Sequence, residues 1–189
     1  MIFATDAQGA GEGDNGGYGI VAAGLPTHLT EAVFECGVAP GFTVTTLSGD
    51  IRPLRNPERA FKRTVPYTRL PAALFDDNLT KWHEIDWGRW READHITLGE
   101  MRGVVKLSGL LARCPSMHRS KVISLQDNRP AQGASMKGRS VAPALNYLLR
   151  KKAANCVAAC INMILPWTAS ALMPADALSR QAEPGAGLD

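Results

Sequence analysis

The sequence contains no long apolar run, and none approaches the roughly 20 residues that a helix needs to cross a bilayer. The N-terminal stretch MIFATDAQG also lacks the basic start and the apolar core of a secretory signal. We therefore expect an intracellular protein, cytoplasmic or nuclear, with no membrane partner. Hydrophobic residues make up 45% of the 189-residue chain, which is enough for one globular domain with a sizeable core.

Cysteine pairs at metal-binding spacing are also missing. The chain has four cysteines and no Cys-x-x-Cys motif, and Cys156 and Cys160 are one helical turn apart. We expect buried reduced thiols here, and neither a zinc site nor a disulfide. The net charge is only +3, but basic residues cluster late in the chain, between Arg113 and Lys152. Such clusters usually form solvated helix faces, and phosphate binding is the alternative.

The start of the chain is rich in glycine but lacks a dinucleotide-binding fingerprint. The run QGAGEGDNGG lies between two apolar segments, residues 2–5 and 18–25, which predicts two strands joined as a β-hairpin. Because a second strand follows the glycines, no helix N-terminus is available there to bind a pyrophosphate.

Residues 26–94 show poor periodicity, many prolines and arginine-rich turns. We expect them to form an insertion-rich region that precedes the first main helix. Within it, short strands are predicted at 32–36 (AVFEC) and 42–47 (FTVTTL). The alternation in WHEIDWGRWRE, residues 82–92, predicts a third strand of the main sheet.

The second half of the chain has clearer periodicity. Apolar residues recur at helical spacing from Thr97 to about Cys114, which predicts an amphipathic helix. The order of strands and helices indicates an α/β fold with a mixed sheet and helical crossovers, formed as one domain by residues 1–180. The polar residues 181–189 are expected to be disordered. The remaining predicted elements are a strand at 121–127, a helix opened by Pro130, a helix capped by Ser140, a strand at 161–167 and a helix at 175–180.

Four acidic residues fall at matching places in this order of elements. Asp6 ends the first strand, and Asp127 ends the strand after the amphipathic helix. Glu100 lies in the first turn of that helix, and Asp176 lies in the first turn of the last one. The carboxyl ends of neighbouring parallel strands meet at one edge of a sheet, so Asp6 and Asp127 should be close together. Clustered carboxylates repel one another without a cation and suit a hard divalent ion, which predicts a magnesium site.

Each acid also has a structural alternative. Glu100 completes the sequence TLGE, which has the form of a helix capping box. Asp176 can complement a helix dipole, and Asp127 can be a turn residue. A pure cap, however, does not explain why Glu100 lies on the apolar stripe of its helix. Four such coincidences in one order of elements are less plausible than one metal site.

These motifs resemble the ribonuclease H domain of reverse-transcribing retroelements, especially long-terminal-repeat and DIRS-like elements. The match is close over residues 95–180, recurs at 3–21, and leaves the middle third of the chain uncovered. Its most specific part is PADALSR, residues 174–180, because the spacing to the preceding tryptophan, serine and Asp-Asn pair is also kept. The matching motifs are Thr5-Asp6-Ala7, HITLGE at 95–100, Gln126-Asp127-Asn128, KGRS at 137–140 and WTASALMPADALSR at 167–180.

The resemblance implies a ribonuclease H-like mixed five-stranded sheet flanked by helices, with a long insertion before the first main helix. It implies two Mg²⁺ ions, replaceable by Mn²⁺, that Asp6 bridges, with Glu100 and Asp127 on one ion and Asp176 on the other. The implied activity is a metal-dependent endonuclease that cleaves the RNA strand of RNA–DNA hybrids. The implied partners are the hybrid and an upstream reverse transcriptase polymerase domain. The implied nucleic-acid-binding residues are Asn128, Lys137, Arg139, Ser140 and Arg180.

The sequence also departs from the pattern of this family. Gln126 replaces the usual serine before the second aspartate, and Gln8 replaces the one near the first. Met173 replaces an asparagine that would cap the last helix, which predicts fraying of that helix. These departures favour an alternative, a catalytically lapsed module that binds duplex nucleic acid without cleaving it. A third hypothesis is another nuclease or a transposase-like enzyme of the same fold.

Overall fold

A mixed β-sheet forms the centre of the protein. The computed structural model describes residues 1–11, 14–37 and 70–180, with side chains described except at 35–37. Within these residues five strands pair in the order β3-β2-β1-β4-β5. The strands are β1 (Ile2–Ala7), β2 (Gly17–Ala23), β3 (Trp82–Arg89), β4 (Lys121–Leu125) and β5 (Asn162–Ile164).

The pairing combines a meander with a parallel half. Strand β2 is antiparallel to both β1 and β3, whereas β1, β4 and β5 run parallel to one another. This arrangement is consistent with a ribonuclease H-like α/β fold and confirms the predicted hairpin, the third strand and the mixed sheet. It also places the carboxyl ends of β1 and β4 side by side, because these two strands are parallel neighbours.

Helices cover both faces of the sheet. They are α1 (Thr27–Gly37), α2 (Ile96–Ala112), α3 (Arg129–Lys137), α4 (Pro143–Ala158) and α5 (Asp176–Arg180). The hydrophobic cluster on one face contains residues of α2, α3 and α4, and the cluster on the other contains residues of α1 and α5. Among the described residues, no helix is long and apolar enough to cross a membrane.

Strand β1 is buried on both faces because its side chains alternate between the two hydrophobic clusters. Phe3 belongs to the cluster beneath α2, and Ile2 and Ala4 belong to the one beneath α1 and α5. Burying a side chain as large as Phe3 or Ile2 contributes about 1.5–3 kcal/mol. The same alternation directs Thr5 towards α2 and Asp6 towards α5, so the pleat of β1 sets the direction of the Asp6 carboxylate.

Helix α5 lies directly on strand β2 because the strand has a glycine at the contact. A Cβ atom on Gly19 would lie 2.8 Å from the backbone nitrogen of Ser179 and 2.9 Å from the carbonyl oxygen of Ala175. Any other residue would force the helix away from the sheet. Met173, just before this helix, is buried in the core beside Leu178. The methionine that replaces a capping asparagine therefore packs against the sheet.

The strand predicted at 32–36 is wrong, because these residues belong to helix α1. The run Ala-Val-Phe favours a strand by composition, but Val33 is fully buried and Phe34 packs against the same cluster from a helix. Pro26 precedes this helix, and its carbonyl oxygen accepts a bond from the backbone of Thr30. The strand predicted at 42–47 and the tail at 181–189 lie outside the described residues.

Two predicted helix caps are also wrong. Helix α2 begins at Ile96, and the His95 side chain accepts a hydrogen bond from the backbone of Thr97. The capping-box interpretation of TLGE therefore fails, and Glu100 is in the second turn. Helix α4 begins at Pro143 after Ala142, while Ser140 accepts a bond from the Ala142 backbone in the preceding turn.

The cysteines are less buried than predicted. Cys114 and Cys160 are free and exposed, and Cys156 is free and half-buried. Cys160 lies just beyond α4 with a positive φ of 54°, so the helical spacing from Cys156 ends at the helix terminus.

Candidate metal centre

Three acids from three different elements meet at the carboxyl edge of the parallel strands. Asp6 comes from β1, Glu100 from α2, and Asp127 from the segment after β4. Each of them offers an oxygen that lies within 4.8 Å of the oxygens of the other two. They line an open cleft of about 390 Å³. The predicted convergence of the strand ends and the helix is therefore observed for these three residues.

Asp6 is almost completely buried, with 4% of its surface exposed. The Ser179 hydroxyl of α5 donates a 2.6 Å hydrogen bond to Asp6 Oδ2. Burial raises the pKa of Asp6 from 3.8 to about 6, the Ser179 bond opposes this, and the charges of Asp127 and Asp176 add to it. Its charged form is therefore disfavoured in the absence of a cation.

Glu100 is buried to the same degree, with 3% exposed. Its Oε1 accepts a 3.4 Å bond from the Ala7 backbone, and its Oε2 accepts a 2.6 Å bond from Gln126 Nε2. Burial raises the pKa of Glu100 from 4.5 to about 9, and the charges of Asp6 and Asp127 add to the rise. The protonated form of Glu100 is therefore favoured in the absence of a cation.

Gln126 orients the carboxylate of Glu100. Its side chain is fully buried, and its Oε1 accepts a 3.5 Å hydrogen bond from the Thr5 hydroxyl of β1. A serine, which the resemblance leads one to expect here, is too short to bridge Thr5 and Glu100 in the same way. The departure at this position therefore supplies the centre with a hydrogen-bond donor.

Asp127 is held by the segment between β5 and α5. The Ser170 hydroxyl donates to Asp127 Oδ2, and the Trp167 indole donates a 2.9 Å bond to the Asp127 carbonyl oxygen. The backbone of Gln126 also pairs with the chain beside Trp167. The tryptophan and serine of the WTAS motif thus fix the position of the second aspartate.

Asp176 lines the same cleft but is engaged by another residue. Arg180, one turn later on α5, donates to Asp176 through Nε at 3.1 Å to both oxygens and through Nη2 at 2.8 Å to Oδ1. The three acids that approach within 4.8 Å do not include Asp176. The structure therefore brings together three of the four predicted acids and places the fourth at the cleft wall, paired with a cation.

The predicted nucleic-acid-binding residues are split between two places. Asn128 and Arg180 line the acidic cleft, and Asn128 also caps α3 by accepting a 2.9 Å bond from the Ala131 backbone. Lys137, Arg139 and Ser140 lie at the end of α3 and in the turn to α4, outside the cleft lining. Lys137 and Arg139 are exposed there.

Sequence reasoning missed two residues of the centre. Ser179 and Ser170 donate to two of the three clustered acids, but they were not among the predicted site residues. The sequence did contain an indication of their role, because both serines belong to the segment from Trp167 to Arg180 that carries the resemblance. Their role is visible only when α5 and the preceding segment are docked on the sheet edge.

The donor set suits a hard divalent cation. It consists of carboxylate oxygens, two of them in groups whose pKa is raised by burial and mutual repulsion, and it contains no sulfur or imidazole. A bound cation would relieve the repulsion.

No protein-family model matches the chain, and neither curated proteins nor solved structures give a match.

Proposed function

We propose that the protein is a magnesium-dependent endonuclease that cleaves the RNA strand of RNA–DNA hybrids. The observation that carries the proposal is the convergence of Asp6, Glu100 and Asp127 in an open cleft at the end of β1 and β4. The resemblance of the surrounding motifs to retroelement ribonuclease H domains supports it. The protein would then be part of, or derived from, a retroelement reverse transcriptase, with a polymerase domain as partner.

The position of the acids suits catalysis better than a purely structural ion site. A structural ion is normally enclosed by its ligands, whereas these carboxylates lie at the floor of a cleft that a phosphodiester can enter. Magnesium typically keeps water ligands and binds a few carboxylates together with substrate phosphate. Divalent ions held by these carboxylates would supply an activated water for attack on the phosphorus and would stabilise the leaving oxygen.

The residues of the chain have distinct roles in this proposal. Asp6, Glu100 and Asp127 would hold one ion, and the resemblance implies that Asp6 would share the second ion with Asp176. Gln126, Ser170 and Ser179 orient these carboxylates by the hydrogen bonds described above.

A second ion requires Asp176 to become available. Its carboxylate now accepts three contacts from Arg180, an exposed side chain. We infer that Arg180 turns towards a substrate phosphate when Asp176 binds an ion. Substrate recognition of this kind depends on duplex shape, 2′-hydroxyls and phosphates, so base specificity should be weak.

The direct test is cleavage of an end-labelled RNA–DNA hybrid in magnesium. Asp127→Asn should abolish cutting, and Mn²⁺ should substitute for Mg²⁺. Asp77→Asn is the matched control, because Asp77 is an exposed acid away from the cleft and its removal makes the same change in charge. Equal cutting by the wild type and Asp127→Asn would refute the proposal.

A second candidate is the catalytically lapsed module that binds duplex nucleic acid. The ion pair of Asp176 with Arg180 favours it, since this pair keeps the fourth acid from the cluster. In that case hybrid binding persists with a steep salt dependence, while neither Mg²⁺ nor Mn²⁺ supports cleavage.

A further inference from the structure

A second cleft lies on the other side of helix α2, outside the metal centre. It has a volume of about 370 Å³ and is formed by α2, α4 and the segment between β3 and α2. Leu98 and Arg102 line it, and both are about 200° around the helix from Glu100 at 100° per residue. The α2–α4 cleft therefore opens away from the acidic cleft.

Two aromatic rings line the α2–α4 cleft. Trp90 stacks on Tyr18 with ring centroids 4.7 Å apart, and Tyr147 on α4 is 55% exposed. Leu98 and Leu148, half-buried against the core, supply apolar surface beside them. Trp90 is half-buried, with the Arg102 guanidinium 5.8 Å from its ring centroid, so the exposed ring of Tyr147 is the one suited to stacking a planar ligand in this concave site.

The charge of the α2–α4 cleft is positive. Arg102 forms an ion pair with Asp94, which leaves these two residues neutral together. Lys151, by contrast, has no acidic partner among the described residues, and its Nζ lies 4.6 Å from the centroid of the Tyr147 ring. One free cation beside an aromatic ring suits a ligand that combines a planar base with a phosphate.

The size of the α2–α4 cleft restricts the ligand. Its volume of about 370 Å³ lies near the lower end of the roughly 300–1,000 Å³ that is typical of ligand pockets. This is room for one nucleotide unit and too little for two. We propose that the α2–α4 cleft binds a single unpaired nucleotide, with its base against Tyr147 and Trp90 and its phosphate at Lys151.

The proposal goes beyond the nuclease activity, because it involves none of the acids of the metal centre. The nucleotide can be free, or it can be one unit of a single strand that leaves the duplex. Both sources share the chemistry of a base and a phosphate, and the experiment below distinguishes them.

The binding test follows the four tryptophan indole signals in a nitrogen-15 correlation NMR spectrum, with Trp90→Phe to assign the signal of Trp90. Titration with AMP should shift the Trp90 signal. Tyr147→Ala should weaken binding of both AMP and adenosine about tenfold, because a stacking partner is lost. Lys151→Ala should weaken AMP about fivefold and leave adenosine unchanged, because only AMP carries the phosphate.

Arg150→Ala is the matched control for Lys151→Ala. Arg150 is the preceding residue on α4, is exposed and basic, and lies outside the α2–α4 cleft lining. AMP affinity should change less than about twofold in this variant. Equal weakening of AMP binding by the two variants would mean that the phosphate is attracted only by the general positive charge of α4, and this would overturn the proposal. A Trp90 signal that does not shift at millimolar AMP would also overturn it.

An oligoadenylate separates the two sources. If it shifts the Trp90 signal at lower concentration than AMP does and with a steeper salt dependence, the ligand is a unit of a strand. If the two ligands bind equally, the ligand is a free nucleotide. These measurements use no cleavage assay, so they hold in Asp127→Asn protein and stand or fall separately from the nuclease proposal.

Discussion

The two sides of helix α2 face opposite electrostatic conditions. Towards β1, Glu100 is buried beside two aspartates, and a bound cation would relieve the repulsion between their carboxylates. On the other side, Arg102 and Lys151 border a partly exposed cleft in which the net charge is positive. One helix thus separates a site suited to metal ions from one suited to an anion.

The difference between the sides lies in burial. The three clustered acids receive hydrogen bonds from β1, from Gln126 just after β4, from α5 and from the segment before α5, and burial raises the pKa of two of them. Lys151 and Tyr147, by contrast, are exposed side chains in contact with solvent. Substitutions at the metal centre should therefore have large effects, and those in the α2–α4 cleft small ones.

The largest effect is expected for Asp6→Asn. Asparagine keeps the shape and can still accept the Ser179 hydrogen bond, but it removes a charge that would bind the metal. Cleavage of the hybrid should fall at least about 100-fold, beyond the 10–100-fold typical of residues that only support ligands. The measurement is the initial rate of cutting in saturating magnesium.

Lys151→Ala provides the other side of this comparison. At saturating hybrid its rate of cleavage should stay within about twofold of the wild type, because Lys151 lies outside the cleft of the acids and its loss weakens only binding. Comparable losses of cleavage rate in Asp6→Asn and Lys151→Ala would show that both sides of α2 act in one site. The two clefts would then not be functionally separate.

The second effect concerns the docking of α5. In Gly19→Ala the new methyl group would lie within 3 Å of the α5 backbone, so the helix must shift. Such overpacking costs about 1–3 kcal/mol of the free energy of unfolding and would also displace Ser179 from Asp6. Chemical denaturation measures the first and hybrid cleavage the second. Gly24→Ala is the control, since a Cβ at Gly24 meets no atom within 4 Å.

Much of the fold was predictable because its signals are local. The periodicity that begins at Thr97 predicted α2, and turn residues between apolar runs predicted the β1–β2 hairpin. The acids could be placed because parallel neighbours end at the same sheet edge, so the positions of Asp6 and Asp127 along the chain implied their proximity.

The failures have a common physical origin in long-range contacts. The segment around Val33 resembles a strand by composition, but its burial on the sheet selects a helix. The bond from Ser179 to Asp6 joins residues 173 positions apart, and no local pattern encodes it. The close approach of α5 to Gly19 is likewise visible only after the sheet and helix are packed.

The third effect is a pH dependence of stability that Glu100 creates. Its pKa is about 9 in the folded protein against an ordinary 4.5, so the folded state holds the proton more tightly between these values. The free energy of unfolding of metal-free protein should therefore fall as pH rises through this window. Glu100→Gln removes this contribution. Its free energy of unfolding relative to that of the wild type should therefore increase by at least about 1 kcal/mol as pH rises from about 5.5 to 8.5.

Urea denaturation in the presence of a chelator measures this difference. Added magnesium should reduce it, because an ion stabilises the wild type at high pH more than Glu100→Gln, which keeps only two of the three clustered carboxylates. A parallel pH profile for the two proteins would mean that Glu100 is charged in the metal-free fold.

The smallest effect separates buried from exposed support within the metal centre itself. Ser179 is buried and donates to buried Asp6, whereas Ser170 is exposed and donates to half-buried Asp127. Ser179→Ala should cost about 1 kcal/mol of stability and lower magnesium affinity about tenfold. Ser170→Ala should do less on both counts, because water can replace its hydroxyl. Calorimetric magnesium titration and denaturation give both values. Equal losses would mean that burial does not decide how strongly a supporting hydroxyl acts, and that distance to the acids alone does.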